Sequence, residues 1–212
     1  SRDWSSDVCS SDLINNTSAT GYSQLYLTNS GASGRDYILG MGGNGAASGF
    51  ANNFTIYDTA ASATRLTIDS SGNLGLGVTP SAWSSSWKAF QFGSVGAAFS
   101  NSGNAIWSGN EYLNSGGTPT YLTSQYALRY RQDVGSGYHA WSTAPSGTAG
   151  DAISFTQAMT LDASGNLGIG TSSPDAKLHV TSGVSATTFS TPIATISGTG
   201  YVSANTIYGR SE

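Results

Sequence analysis

The sequence predicts an all-β fold: short strands and hairpins in a repeat-bearing, fibrous β-structure. Three observations predict it. Apolar residues recur with a period of two, as where Tyr126, Leu128 and Tyr130 alternate with Ala127, Arg129 and Arg131. No segment carries a helical period over ~11 residues. The stretch LTIDSSGNLGLG (66–77) also returns as MTLDASGNLGIG (159–170), identical at 8 of 12 positions, and each copy reads as strand, turn and strand.

Taken in order, strands are expected over 22–29, 36–41 and 53–58, separated by turn clusters such as NSGAS (29–33). Between them GMGGNG (40–45) satisfies the glycine spacing of a dinucleotide fingerprint, with Asp58 at a suggestive distance. The stretch from there to FTIYD is too short for the ~10–12 residues of a βαβ crossover, so a glycine-rich turn is expected. The first repeat follows. Asp69 can accept from turn amides, and Gly72 suits the left-handed position of a bulged hairpin loop. Leu74, Leu76 and Val78 then share one face while Gly75 and Gly77 leave the other bare. Alternating glycine marks a place where another backbone approaches closely.

Further strands are expected over 87–92, 104–108, 126–131, 138–143 and 151–156, with turns at NSGN (101–104), NSGGTP (114–119), GSG (135–137) and PSGTAG (145–150). In 126–131 the alternation predicts one apolar face and one wet face. The second repeat places Asp162, Gly165, Gly168 and Gly170 as the first places its counterparts, and Pro174 follows at nearly the offset of Pro80. Leu178 and Val180 then alternate with Lys177, His179 and Thr181. Strands of this kind leave open edges and uncovered faces in a single copy, which oligomerisation would cover.

Charged residues make up 9% of the chain, against roughly 25% in an average soluble domain, while 28 of 212 residues are Gly. A net charge of -4 gives no basic stripe for a phosphate backbone, so no nucleic-acid partner is expected. No apolar run approaches the ~18 residues of a membrane span, so no membrane insertion is expected.

The pattern AMTLDASGNLGIGTSSPDAKLHV (158–180), led into by AWSTAPSGTAGDAISFTQ (140–157), resembles the repeat of tail fibre proteins of tailed bacteriophages, upstream of an endosialidase-type intramolecular chaperone. The likeness covers most of 53–183 and is specific in its DxSGNLGIG core. It implies a homotrimeric fibre in the virion tail that contributes to host attachment through a host surface glycan or protein. The chaperone and its cleavage site are absent from this sequence. A bacterial trimeric surface adhesin stalk is the alternative, and a tailspike-like glycan hydrolase is a third reading.

The ends read differently. Residues 3–13, DWSSDVCSSDL, resemble a sequencing-adapter oligonucleotide translated in frame, and Arg210 to Glu212 fit the start of an adapter on the other side. Residues 1–13 and 210–212 are therefore set apart as adapter-derived, and the natural chain is expected to continue past both. What remains divides into an amino-terminal β segment (14–58), the first repeat (59–93), an aromatic-rich β insert (94–157), the second repeat (158–183) and a β linker (184–209). Cys9, the only cysteine, falls in the excluded stretch, which leaves no thiolate and no disulfide framework.

No catalytic residue, metal ligand or cofactor is expected. Asp69, Ser71 and Asn73 present oxygens at alternate positions, as do Asp162, Ser164 and Asn166, but the sixth and twelfth places of a calcium loop hold Leu74 and Pro80, or Leu167 and Ser173. His139 and His179 have no metal-ligand spacing, and nothing pairs Glu111 with a second carboxylate for glycoside hydrolysis. The candidate binding surface is aromatic: Trp107, Tyr112, Tyr121, Tyr126, Tyr130, Tyr138 and Trp141. Such rings can stack on sugars or anchor proteins; the competing expectation is that they fill the core of a β-domain.

Overall fold

A computed structural model describes residues 21–28, 34–42 and 52–182. Gly43 to Gly45 of GMGGNG, the NSGAS turn, the 184–209 linker and both adapter-like ends lie outside the described residues.

The described residues define an all-β protein. Fifteen strands run in chain order: β1 (Tyr22–Leu27), β2 (Tyr37–Gly42), β3 (Phe54–Asp58), β4 (Ala63–Ile68), β5 (Leu74–Leu76), β6 (Lys88–Phe92), β7 (Gly96–Ser100), β8 (Asn104–Gly109), β9 (Glu111–Leu113), β10 (Pro119–Tyr121), β11 (Ala127–Asp133), β12 (Tyr138–Ala144), β13 (Thr156–Leu161), β14 (Leu167–Ile169) and β15 (Leu178–Val180). Thirteen of them form one sheet whose spatial order follows the chain, β1 to β8 and then β11 to β15, while β9 and β10 pair as a separate hairpin.

Each repeat builds the same local structure. Asp69 Oδ1 accepts from the amides of Ser71 (2.9 Å) and Asn73 (2.8 Å), and Asp162 does the same for Ser164 and Asn166. Gly72 and Gly165 take the left-handed conformation, at φ 80° and 71°. The strand after each turn then pairs in parallel with the next, β5 with β6 and β14 with β15. A tight turn cannot reach a parallel partner. The chain therefore crosses one face of the sheet through 77–87, and again through 170–177.

Gly75 and Gly168 lie beneath these crossovers. A Cβ at Gly75 would meet the Val78 carbonyl and sit 2.8 Å from Pro80 Cδ; at Gly168 it would sit 2.7 Å from the Thr171 carbonyl oxygen. The backbone that approaches the bare face belongs to the same chain. That corrects the expectation that oligomerisation covers it. Gly77 and Gly170 are not part of that face, since they follow their strands with φ of 68° and 76° and start the crossover.

Paired residues across a ladder share a face, so the register identifies what each face carries. One row runs through Met41, Phe54, Ile68, Leu74, Phe90, Ala98, Trp107, Tyr130, Trp141, Met159, Ile169 and Val180. A second runs through Leu25, Leu39, Ile56, Leu66, Leu76, Phe92, Gly96, Gly109 and Leu128. Neither contains a charged side chain.

The opposite face carries smaller and more polar residues, among them Thr55, Thr67, Gly75, Gln91, Ala97, Ala140, Thr160 and Gly168, and these are the buried ones. Trp83 and Trp87 from the first crossover and Leu113 from β9 cover Ala89, Ala97, Phe99 and Ile106. Tyr121 and Ile153 cover Ala127 and Ala144. Gln91 anchors the first crossover by accepting from Ser81 N (2.9 Å) and Trp83 Nε1 (3.3 Å). Asn110, at φ 66°, turns the chain out of the sheet into β9, and its amide group bonds the carbonyls of Thr123, Gln125 and Tyr126.

The structure corrects two further expectations. In β11 the face expected to be wet is the covered one, with Ala127 buried and Arg129 nearly so, while Leu128 on the expected apolar face is 57% exposed. Residues 151–156 form no strand before Thr156. Ala152 makes only an isolated bridge to Thr120, because this segment runs beneath the sheet to bring Ile153 against Tyr121.

Candidate functional site: the open apolar face

The seven candidate aromatics divide among different surroundings. Trp107, Tyr130 and Trp141 sit side by side in one row of the open face. Tyr130 lies 5.0 Å from Trp141 and 6.0 Å from His139, nearly parallel to the latter at 11°, and its hydroxyl is 2.6 Å from His139 Nδ1. With Gly109, Leu128 and Thr143 the three rings line an open hollow of about 410 Å³. Its walls are almost wholly apolar. Smaller hollows continue along the same face, about 290 Å³ around Phe90, Ala98 and Trp107 and about 220 Å³ around Leu25, Leu39, Met41 and Phe54.

The other four aromatics lie elsewhere. Tyr112 packs edge-on to Trp83 at 6.1 Å on the covered side. Tyr121 is buried there, and its hydroxyl donates to the Pro145 carbonyl at 2.6 Å. Tyr126 is exposed at the start of β11. Tyr138 accepts from Arg131, whose guanidinium also lies 5.1 Å from the Tyr138 ring centre, and burial pushes the phenol above its usual range. Tyr138 lines a polar cleft of about 340 Å³ with Ser136, Gln157, Thr160 and Asp162.

Among the described residues two carboxylates, Asp58 and Glu111, are buried, and both are held by arginine. Glu111 takes two hydrogen bonds from Arg129, from Nε at 3.0 Å and from a terminal nitrogen. The Arg129 guanidinium also lies 4.1 Å over the Phe155 ring, and burial with the nearby Arg131 charge pulls it down to about 10, so it stays protonated at neutral pH. Asp58 accepts from Arg35 and from Arg65 (2.7 and 3.1 Å), and from the Ala61 amide at 3.1 Å. Neither carboxylate faces a second one across an open groove. Among the described residues no group of three or more His, Cys, Asp or Glu is placed to hold a metal ion. In both repeat turns the Asp oxygens accept from the turn's own N–H groups.

These contacts give acid sensitivity a definite sign. Asp58 is held below the usual carboxylate range chiefly by its hydrogen bond from Arg65, Asp133 by the Ser136 amide, and Asp162 by the Asn166 amide. Each binds a proton less readily folded than unfolded, so its stabilisation is intact above the unfolded value of ~3.9 and is lost as pH falls through the lower folded value. The thermal midpoint is expected to hold from neutral pH to about pH 4 and to drop below it. Asp58→Asn should shallow that drop, and an unchanged acid limb would contradict the role given to this group.

No protein-family model matches the chain, and no curated protein matches it. The likeness to tail fibre repeats therefore rests on the DxSGNLGIG motif and the segments around it.

Proposed function

We propose that the chain is a structural and adhesive segment of a fibre of the phage tail-fibre type, acting as a homotrimer and contributing to attachment to a host cell surface. One observation carries the reading. Most of the sheet's large apolar side chains lie on the face that a single copy leaves open, while the face it covers, Ile38, Phe99 and Ile106 apart, is built chiefly from small and polar residues. A chain meant to work alone would bury the apolar side, because burial of apolar area is the dominant favourable term in folding. The serial sheet supports a shaft, since every strand added in sequence is the next strand added in space.

The test is adsorption. The full chain, fused at its carboxy end to a trimerising domain, is incubated with a panel of bacterial cells and their isolated surface glycans. Saturable binding to some strains, with the glycan chemically unchanged, is the expected outcome. Time-dependent release of reducing sugar would replace the adhesive reading with a hydrolytic one.

A further inference from the structure

We infer that the open face is closed by a second copy of this chain, whose Trp107 enters the notch at Gly109, so that Trp107, Tyr130 and Trp141 form the core of an assembly and not a receptor platform. This deepens the fibre reading and rests on it for the expectation that copies lie side by side.

Three features of the face select that occupant. The first is area. Eight large apolar side chains of the two rows are 36–60% exposed, from Phe92 to Met41. At roughly 150 Å² for a large side chain, half of that over eight residues is on the order of 600 Å². This stands at the upper end of the ~300–600 Å² of the largest patch on an ordinary monomer and approaches the ~800 Å² that each partner contributes to a standard interface.

The second feature is charge. Neither apolar row holds an ionised side chain, and Lys88, beside them on this face, is held on the Ser71 carbonyl, so the rows of identical copies meet without like charges between them. A sugar would need donors and acceptors around the rings to fix its hydroxyls, and the walls of the 410 Å³ hollow offer almost none.

The third is shape. Gly96 and Gly109 are cross-strand partners on this face. The space over Gly96 is filled by the ring of Phe92, whereas nothing lies within 4 Å of where a Cβ would stand on Gly109. Trp107, 57% exposed, stands two residues away on the same strand and face. A projection beside a matching hollow is an arrangement that copies can use head to tail around a closed ring, with Trp107 of each in the Gly109 notch of the next, as a homotrimer requires.

The experiment measures the mass of the full chain by sedimentation equilibrium near 10 µM, beside cell adsorption, with unfolding melts as a check on folding. Gly109→Leu fills the notch with no clash inside its own copy, Leu128→Asp places a charge on the face, and Val134→Asp places one in an exposed turn away from it. The inference predicts an oligomeric parent and an oligomeric Val134→Asp variant. It predicts that Gly109→Leu and Leu128→Asp shift the association at least tenfold toward monomer, with Gly109→Leu melting as a folded protein. An oligomer that survives both face substitutions overturns the inference and leaves the fibre reading in place. A monomeric parent overturns it as well, and the fibre reading is then decided by whether that monomer still adsorbs. A monomer whose adsorption is lost in a folded Trp107→Ala variant would assign the rings to a receptor.

Discussion

Glu111→Ala is expected to destabilise the chain by about 3–5 kcal/mol, the cost of leaving a buried charge without its partner. Glu111 is 0% exposed and the Arg129 side chain 13%. Removing the carboxylate leaves a protonated guanidinium beneath the sheet without its counter-charge, against Phe155, where water cannot replace the lost partner. The cost belongs to the orphaned cation, not to the net strength of the pair. Glu111→Leu combined with Arg129→Met should therefore recover most of the loss, because a buried pair replaced by apolar groups of similar volume is often close to neutral. The denaturant midpoint should fall in Glu111→Ala at unchanged slope and return in the double variant. Equal midpoints for the parent and Glu111→Ala would show that the pair is solvated.

Gly75→Val is expected to cost roughly 1–3 kcal/mol or more, by forcing the first crossover off the sheet. The new side chain would meet the Val78 carbonyl and the Pro80 ring, which are backbone and a rigid ring and cannot move aside as a flexible side chain can. Gly168→Val should lose less, since Thr171 and Pro174 stand further away, at 2.7 and 3.5 Å. Gly103→Ala, with open space around it, is the matched control and should be nearly neutral. The clash is intramolecular, so the loss should not depend on protein concentration. A loss confined to high concentration would return these glycines to a contact between copies.

Much of this was legible in the residues. The Asp-x-Ser-Gly-Asn turns could be read because Asp, Gly and Asn have few other reasons to stand at those offsets. Most strand positions followed from period-two alternation. Alternation could not say which face would be covered, because that depends on where the crossovers and the β9–β10 hairpin pass, and the period is the same either way. The signal for it was Pro80 and Pro174, which follow the short glycine strand at nearly equal offsets and stand where the chain turns across Gly75 and Gly168. Strand β7 was missed because GAAFS carries small residues with little β preference, and β9 and β10 are only three residues each.

The structural repeat is also wider than the sequence repeat. Strands β3 to β6 and β12 to β15 share a bulged antiparallel pair, the Asp turn and the parallel crossover. The Gly77 and Gly170 amides each bond a bulge carbonyl, of Arg65 and Ala158, at 2.9 Å. Backbone geometry carries that correspondence, and the side chains of β3 and β12 have little in common. Both repeats also use a lysine to close the turn, Lys88 Nζ on the Ser71 carbonyl (2.5 Å) and Lys177 Nζ on the Ser164 carbonyl (2.6 Å), although the two crossovers differ in length.

The central claim is that the apolar face of one copy meets the apolar face of another. The most direct measurement places a photo-crosslinking phenylalanine analogue at position 107 of the full chain and maps the adducts by mass spectrometry. Adducts between copies, falling on β8, β11 and β12 near Gly109, Leu128 and Thr143, are the predicted result. Absence of any adduct between copies, or adducts confined to the covered-face segments 77–87 and 145–155, would contradict it.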